Sequence, residues 1–146
     1  MIILDTNVVS ELFKREPDER VALWAAQLRP IDMAISVVTV FEIRRGFELL
    51  VEGRRKRSLE TLLAEFTRDV GTLFSFNAET AAAAARYAAE RSRMGRPVVD
   101  LADLMIAGTV LTAPDMFDNE ITLATRNVDD FLGLDVVNPW DAGQPS

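Results

Sequence analysis

The sequence predicts an α/β fold in which helices enclose a short, mainly parallel sheet. Three observations carry that prediction. Apolar runs of strand length, at residues 2–4, 33–35, 73–76 and 121–124, alternate with longer segments of helical periodicity. Several of these runs lead straight into helix-capping residues: Thr6 and Asn7 after Asp5, then Ser36, then Asn77. The length, 146 residues, suits one domain spanning 1–146, with no internal repeat or linker.

Taken in order, Ile2–Leu4 forms a strand that ends at Asp5, and a helix continues through Leu12 and Phe13. Pro17 and Asp18 restart a second helix through Val21, Trp24 and Leu28, and Pro30 stops it. Met33–Ile35 is the second strand, and Ser36 caps a helix that runs to Leu50. Gly53 separates it from the next, in which Leu59, Leu62, Leu63 and Phe66 recur at helical spacing. A third strand covers Leu73–Phe76, and Asn77 caps an alanine-rich helix closed by Gly95 and Pro97. A further helix runs from about Leu101 to Leu111, and residues 113–120 read as a polar, turn-rich connection. Ile121–Ala124 and Asp135–Val137 complete the strands.

Composition removes many kinds of chemistry. With no cysteine there is no disulfide framework or thiol nucleophile, and with no histidine there is no Ser-His-Asp triad or histidine-ligated zinc. Catalysis must use carboxylates, hydroxyls, Lys and Arg, or a metal ion. The net charge of −7 is unevenly spread. Residues 1–96 hold 15 of the 16 basic groups, whereas residues 97–146 hold nine acids against Arg126 alone. Two basic clusters stand in front, Arg44–Arg45 with Arg54–Arg57, and Arg86, Arg91, Arg93 and Arg96. They read either as solvated helix faces or as a groove for phosphates. No signal peptide precedes the first strand and no apolar run approaches the about 20 residues of a membrane span, so a cytoplasmic protein is expected.

The carboxylates concentrate where such sheets bind ligands, at the carboxyl ends of strands. Asp5 stands at one such end, as a helix cap or as a site residue. Glu42 interrupts an apolar stretch, Val37–Ile43, and needs a partner: either a site or an ion pair with Arg45. Asp100 and Asp103 open a helix, where capping and a site role are both available. Thr125, Arg126 and Asn127 end another strand on the same side. An oxygen-only acidic cluster suits Mg²⁺ or Mn²⁺ rather than zinc. Metal-assisted phosphodiester hydrolysis needs no histidine and fits that cluster best.

These residues carry a resemblance. Met1–Glu11, Ser36–Gly46 with Glu42, Gly95–Pro97, Asp103–Ala107, Leu123–Asn127 with Asp130 and Phe131, and Val136–Trp140 lie in order across nearly the whole chain. Together they resemble the PIN-domain ribonucleases of the VapC/FitB-like toxin group. The resemblance implies a PIN-like three-layer α/β/α sandwich and a Mg²⁺-dependent endoribonuclease toxin, with Mn²⁺ as a substitute ion. It implies Asp5, Glu42 and Asp103 as catalytic acids, with Asp5 and Asp103 as metal ligands. Thr6 and Thr125 would position a carboxylate, a water or a phosphate. Asn127 takes a fourth site position that is often Asp, which removes one charge. The implied partners are RNA, a VapB/FitA-like antitoxin whose Arg-bearing segment enters the acidic pocket, and a second copy in a homodimer. Two rival functions remain: an aspartyl-phosphate transferase on Asp5, which lacks the usual second Asp at Asn7, and a non-catalytic PIN-like module binding nucleic acid or protein.

Overall fold

Five strands and six helices follow one another in the computed structural model, which describes residues 1–117 and 120–142, with the backbone alone for 114–117. They are β1 (Ile2–Leu4), α1 (Thr6–Leu12), α2 (Glu19–Ala26), β2 (Met33–Ser36), α3 (Val37–Glu48), α4 (Arg54–Asp69), β3 (Thr72–Phe74), α5 (Ala78–Arg93), α6 (Leu101–Phe117), β4 (Thr122–Ala124) and β5 (Val136–Val137). The strand order is β3-β2-β1-β4-β5, and every pairing is parallel. The chain thus winds outward from β1 through β2 to β3, then returns to the other side of β1 as β4. That reversal opens a crevice at the carboxyl ends of β1 and β4, the place where open parallel sheets take ligands.

Strand periodicity divides the core into two layers. Ile3, Ala34 and Leu123 face one side and pack with Tyr87, Ile106, Ala107 and Phe131. Their neighbours Leu4, Ile35 and Ala124 face the other, against Val8, Val21, Ile43, Leu63 and Trp140. Helices α5 and α6 therefore cover one face and α1 to α4 the other, the sandwich the sequence implies. The contact between α5 and α6 is close because Gly108 has no side chain. A Cβ there would lie 2.6 Å from Thr80 O and 2.8 Å from Ala84 Cβ.

One expectation is corrected. Helix α6 runs on to Phe117, so most of the segment 113–120 is helical rather than a turn-rich connection. Burial overrides local composition here: Val110 and Ala113 are enclosed in the core and draw the helix past its polar end. Pro114 leaves one carbonyl in the preceding turn without its usual donor, and the helix absorbs this. Residues 118 and 119 lie outside the described residues. Among the described residues, no helix is long and apolar enough to cross a membrane.

Candidate active site

Sheet register builds the site. Leu4 pairs with Ala124, so Asp5 and Thr125 emerge side by side at the carboxyl ends of β1 and β4. The Asp5 N–H donates to Ala124 O at 2.9 Å, which fixes its backbone. The Asp5 side chain then caps α1, with Oδ1 accepting from the Thr6 N–H at 2.8 Å. Its Oδ2 accepts from the Thr125 hydroxyl at 2.7 Å and from Asn7 Nδ2 at 3.1 Å. Both readings of Asp5 thus hold at once: it is a helix cap and it heads the crevice. The carboxyl is only 1% exposed. Burial pushes its pKa from 3.8 up to about 6, the Thr125 hydroxyl and Thr6 N–H oppose that rise, and the charge of Glu42 adds to it.

Glu42 enters from α3. Ser36 caps that helix with a 3.0 Å bond from the Val38 N–H, and the i,i+3 spacing sets Thr39 and Glu42 on one face. The Thr6 hydroxyl donates to Glu42 Oε1 at 2.6 Å and shares a 3.2 Å hydrogen bond with the Thr39 hydroxyl. Glu42 is half-buried, and among the described residues it forms no ion pair with Arg45. Thr6 therefore couples two carboxylates, bonding Asp5 through its backbone and Glu42 through its hydroxyl. Glu42 also borders two clefts. One is lined by Phe41, Arg45, Asp100 and Leu101, the other by Ser10, Lys14 and Arg55.

Asp103 completes the set from the first turn of α6. Asp100 caps that turn, its Oδ1 accepting from the Asp103 N–H at 3.2 Å. Asp103 is 7% exposed, and its Oδ2 is fully buried with no hydrogen-bond donor. Its carboxyl is in side-chain hydrogen-bond contact with that of Asp130. Burial raises its pKa most, followed by the Asp130 carboxyl and the charges of Asp5 and Asp100. A buried carboxylate oxygen without a donor calls for a proton or a cation.

The sequence reading missed three contributors. The Asp130 side chain contacts Asp103, Asn7 bridges Asp5 Oδ2 to the Arg126 N–H at 3.2 Å, and Thr39 supports Thr6. Their only signals in sequence were the Asp130–Phe131 match and the proximity of Asn7 to Asp5. Asn127 adjoins the site through its backbone, donating its N–H to Thr125 Oγ1 at 3.0 Å. Among the described residues, no three carboxylates converge into a cage for an ion. Mg²⁺ needs no such cage, because it retains several waters and takes one or two carboxylates. Asp5 and Asp103, which sense each other's charge, could supply those two.

The chain matches the PIN domain family model over residues 2–129. It is 34% identical over 144 residues to Toxin FitB of Neisseria gonorrhoeae (strain ATCC 700825 / FA 1090), covering 96% of this chain and 99% of that protein. It is 32% identical over 145 residues to VapC ribonuclease Y4jK of Sinorhizobium fredii (strain NBRC 101917 / NGR234), covering 97% and 99% respectively. Among solved structures it is similar to FitAcB from Neisseria gonorrhoeae, with TM-score 0.85, 33% identity, and coverage of 96% of this chain and 99% of that chain.

Proposed function

Because the chain belongs to the PIN domain family, with Toxin FitB and a VapC ribonuclease among its relatives, we propose that it is a divalent-metal-dependent endoribonuclease and the toxin of a VapBC-type pair. The observation that carries this reading is the Asp103 Oδ2, buried without a donor in an acidic crevice that no described cation neutralises. Asp5 and Asp103 would hold Mg²⁺, or Mn²⁺ in its place. When bound, the ion lowers the pKa of a water and offsets charge that develops on the phosphate.

The chain's own residues do the rest. Thr125, Thr6 and Asn7 hold Asp5 in one orientation, so the ligand is positioned before any ion arrives. Thr6 tethers Glu42, which would orient the attacking water beside the phosphate. Arg45, Lys14 and Arg55 rim the clefts on either side of Glu42 and would take flanking phosphates of the RNA. The antitoxin of such a pair would bring a basic side chain to the same acids. Exposed Phe41 and Leu101, beside the acidic site, suit burial against a second copy in a homodimer. RNA and an antitoxin as partners would make the cytoplasm the expected location.

The test uses the free protein with total RNA. Cleavage is expected with Mg²⁺ or Mn²⁺, and it should vanish in excess EDTA and in Asp5→Asn. RNA bound but left uncut would favour the non-catalytic module instead. Cleavage that survives EDTA would overturn the metal-dependent mechanism.

A further inference from the structure

Helix α3 delivers Glu42 with a second hydroxyl behind it, and we propose that Thr39 is a positioning residue for RNA cleavage: its buried hydroxyl donates to Thr6 and so keeps the Thr6 proton on Glu42. The inference rests on the ribonuclease reading above, in which Glu42 orients the attacking water. It concerns a side chain that hydrogen-bonds no carboxylate of the site itself.

Thr39 is fully buried, on a turn whose neighbours Val37, Val38 and Val40 are apolar. A buried hydroxyl is costly unless it is bonded, and a valine would fill that place without the cost. Among the described residues the hydroxyl has one partner, the Thr6 hydroxyl at 3.2 Å. Other buried threonines of this protein take local partners instead. Thr80 holds the equivalent place in α5, three residues after the cap, and turns its hydroxyl on that cap, Asn77 Oδ1, at 3.0 Å. Thr109 and Thr112 bond carbonyls of their own helix, Met105 O and Gly108 O, each at 3.0 Å. Thr39, three residues after its cap Ser36, leaves its own helix and reaches a residue 33 positions away.

Counting protons gives the direction of that bond. The Thr6 hydroxyl has a single hydrogen. Its 2.6 Å contact with Glu42 Oε1 is the shorter of its two and meets a carboxylate, so the hydrogen lies there. In the 3.2 Å contact Thr6 can then only accept, and Thr39 donates. Donation by Thr39 occupies a lone pair of Thr6, restricts rotation of the Thr6 hydroxyl and polarises it toward Glu42. Without that donor the Thr6 hydroxyl is free to turn away, and Oε1 loses its fixed partner for part of the time. Because Thr6 takes Oε1, Oε2 is the oxygen left for the attacking water, and its aim depends on Oε1 staying in place. At 3.2 Å the link is long for two hydroxyls, so its effect is one of direction and modest in size.

The test follows single-turnover cleavage of total RNA at one mapped site, with the intact chain in excess and Mg²⁺ saturating. The rate at saturating protein reports the chemical step, and the protein concentration at half that rate reports RNA binding. Thr39→Val should lower the rate at saturation about fivefold, as loss of one neutral hydrogen bond does. It should leave half-saturation unchanged, and also Mn²⁺ affinity read by electron paramagnetic resonance without RNA. Thr39→Ser keeps the hydroxyl and should cut within about twofold of the wild-type rate. Thr6→Val should cost about tenfold or more, and adding Thr39→Val to it no more than about a further twofold, because both act through one bond to Glu42. Thr112→Val removes a buried hydroxyl that bonds Gly108 O and should cut at the wild-type rate. A wild-type rate in Thr39→Val overturns the inference, as does an equal loss in Thr39→Ser, a full additional loss in the double variant, or a weakened Mn²⁺ affinity in Thr39→Val. Wild-type protein that cuts no RNA overturns the ribonuclease reading together with the inference; wild-type cleavage matched by Thr39→Val overturns the inference alone.

Discussion

Thr125→Val isolates what the buried hydroxyl does for Asp5. The two side chains differ little in shape, and Thr125 is fully enclosed, so the change leaves the packing but removes both the donor to Asp5 and the acceptor of the Asn127 N–H, the second loss being independent of pH. The lost bond, 2.7 Å to Asp5 Oδ2, acts mainly on the ionised carboxyl. A hydrogen bond to a charged group contributes about 1.5–3 kcal/mol. At about 1.4 kcal/mol per pH unit, that corresponds to a rise of about one to two units in the Asp5 pKa. Urea unfolding in divalent-free buffer should therefore show a larger penalty at pH 8, about 2 kcal/mol, than at pH 5, where Asp5 is mostly protonated. The acid limb of Mn²⁺ binding should move upward by the same one to two units, roughly. A penalty equal at both pH values would show that the hydroxyl does not act on the ionised Asp5 carboxyl, and the reasoning would fail.

Other outcomes follow from the same geometry. In the ion-free wild type, Asp5 has its pKa raised from 3.8 to about 6, so the unfolded chain releases its proton first as pH rises. Stability should fall by about 3 kcal/mol across that interval, and a flat profile of urea midpoints would contradict it. Burial and the Asp130 contact raise the Asp103 pKa to about 8, so Asp103→Asn, which removes the buried charge, should stabilise the ion-free protein by about 1–3 kcal/mol above that pH while abolishing Mn²⁺ binding. A lowered urea midpoint in that variant at pH 9 would count against the burial cost of the Asp103 charge. Gly108→Ala gains helix propensity of about 1 kcal/mol, yet its Cβ would meet the Thr80 carbonyl at 2.6 Å. Backbone cannot yield cheaply there, so a net loss of about 1–3 kcal/mol is expected in chemical denaturation; a stabilised variant would show that α5 and α6 are loosely packed.

What could be read from sequence was whatever is local. Asp5 ending a strand, Ser36 and Asn77 capping helices, and Asp100 capping Asp103 are all contacts within three residues, and each is seen in the structure. Long-range partners were not legible. Nothing in the order of residues says that Asp130 meets Asp103, or that Tyr87 reaches the carbonyl 45 positions on. Charged residues misled for the same reason. Arg91 sits in a basic cluster that suggests either solvent or phosphate, yet it is buried on carbonyls. Lys56, within the run Arg54–Arg57, is likewise buried and bonds Glu52. The helical end of α6 escaped because burial of Ala113 outweighed the turn chemistry beside it.

The donors chosen around the acids say why the crevice remains charged. Asp5 is held by a backbone N–H, an amide and a hydroxyl, and Glu42 by a hydroxyl. These neutral donors orient a carboxylate without cancelling its charge, whereas an arginine would do both and fill the space. Two of the cations nearby are engaged elsewhere, Lys14 with Glu11 and Arg126 over the Trp140 ring at 4.9 Å, and among the described residues Arg45 forms no ion pair with Glu42. Asp5 thus carries its charge near neutrality at a cost in folded-state stability, as its pKa raised to about 6 expresses, whereas Asp103, raised to about 8, keeps a proton there until a cation replaces it. Such a site is stabilised by any cation that enters, whether a divalent ion or a basic side chain from a partner. Both would use the same carboxylate oxygens, so a partner that inserts a basic side chain must compete with the ion, and its inhibition should weaken as Mg²⁺ is raised.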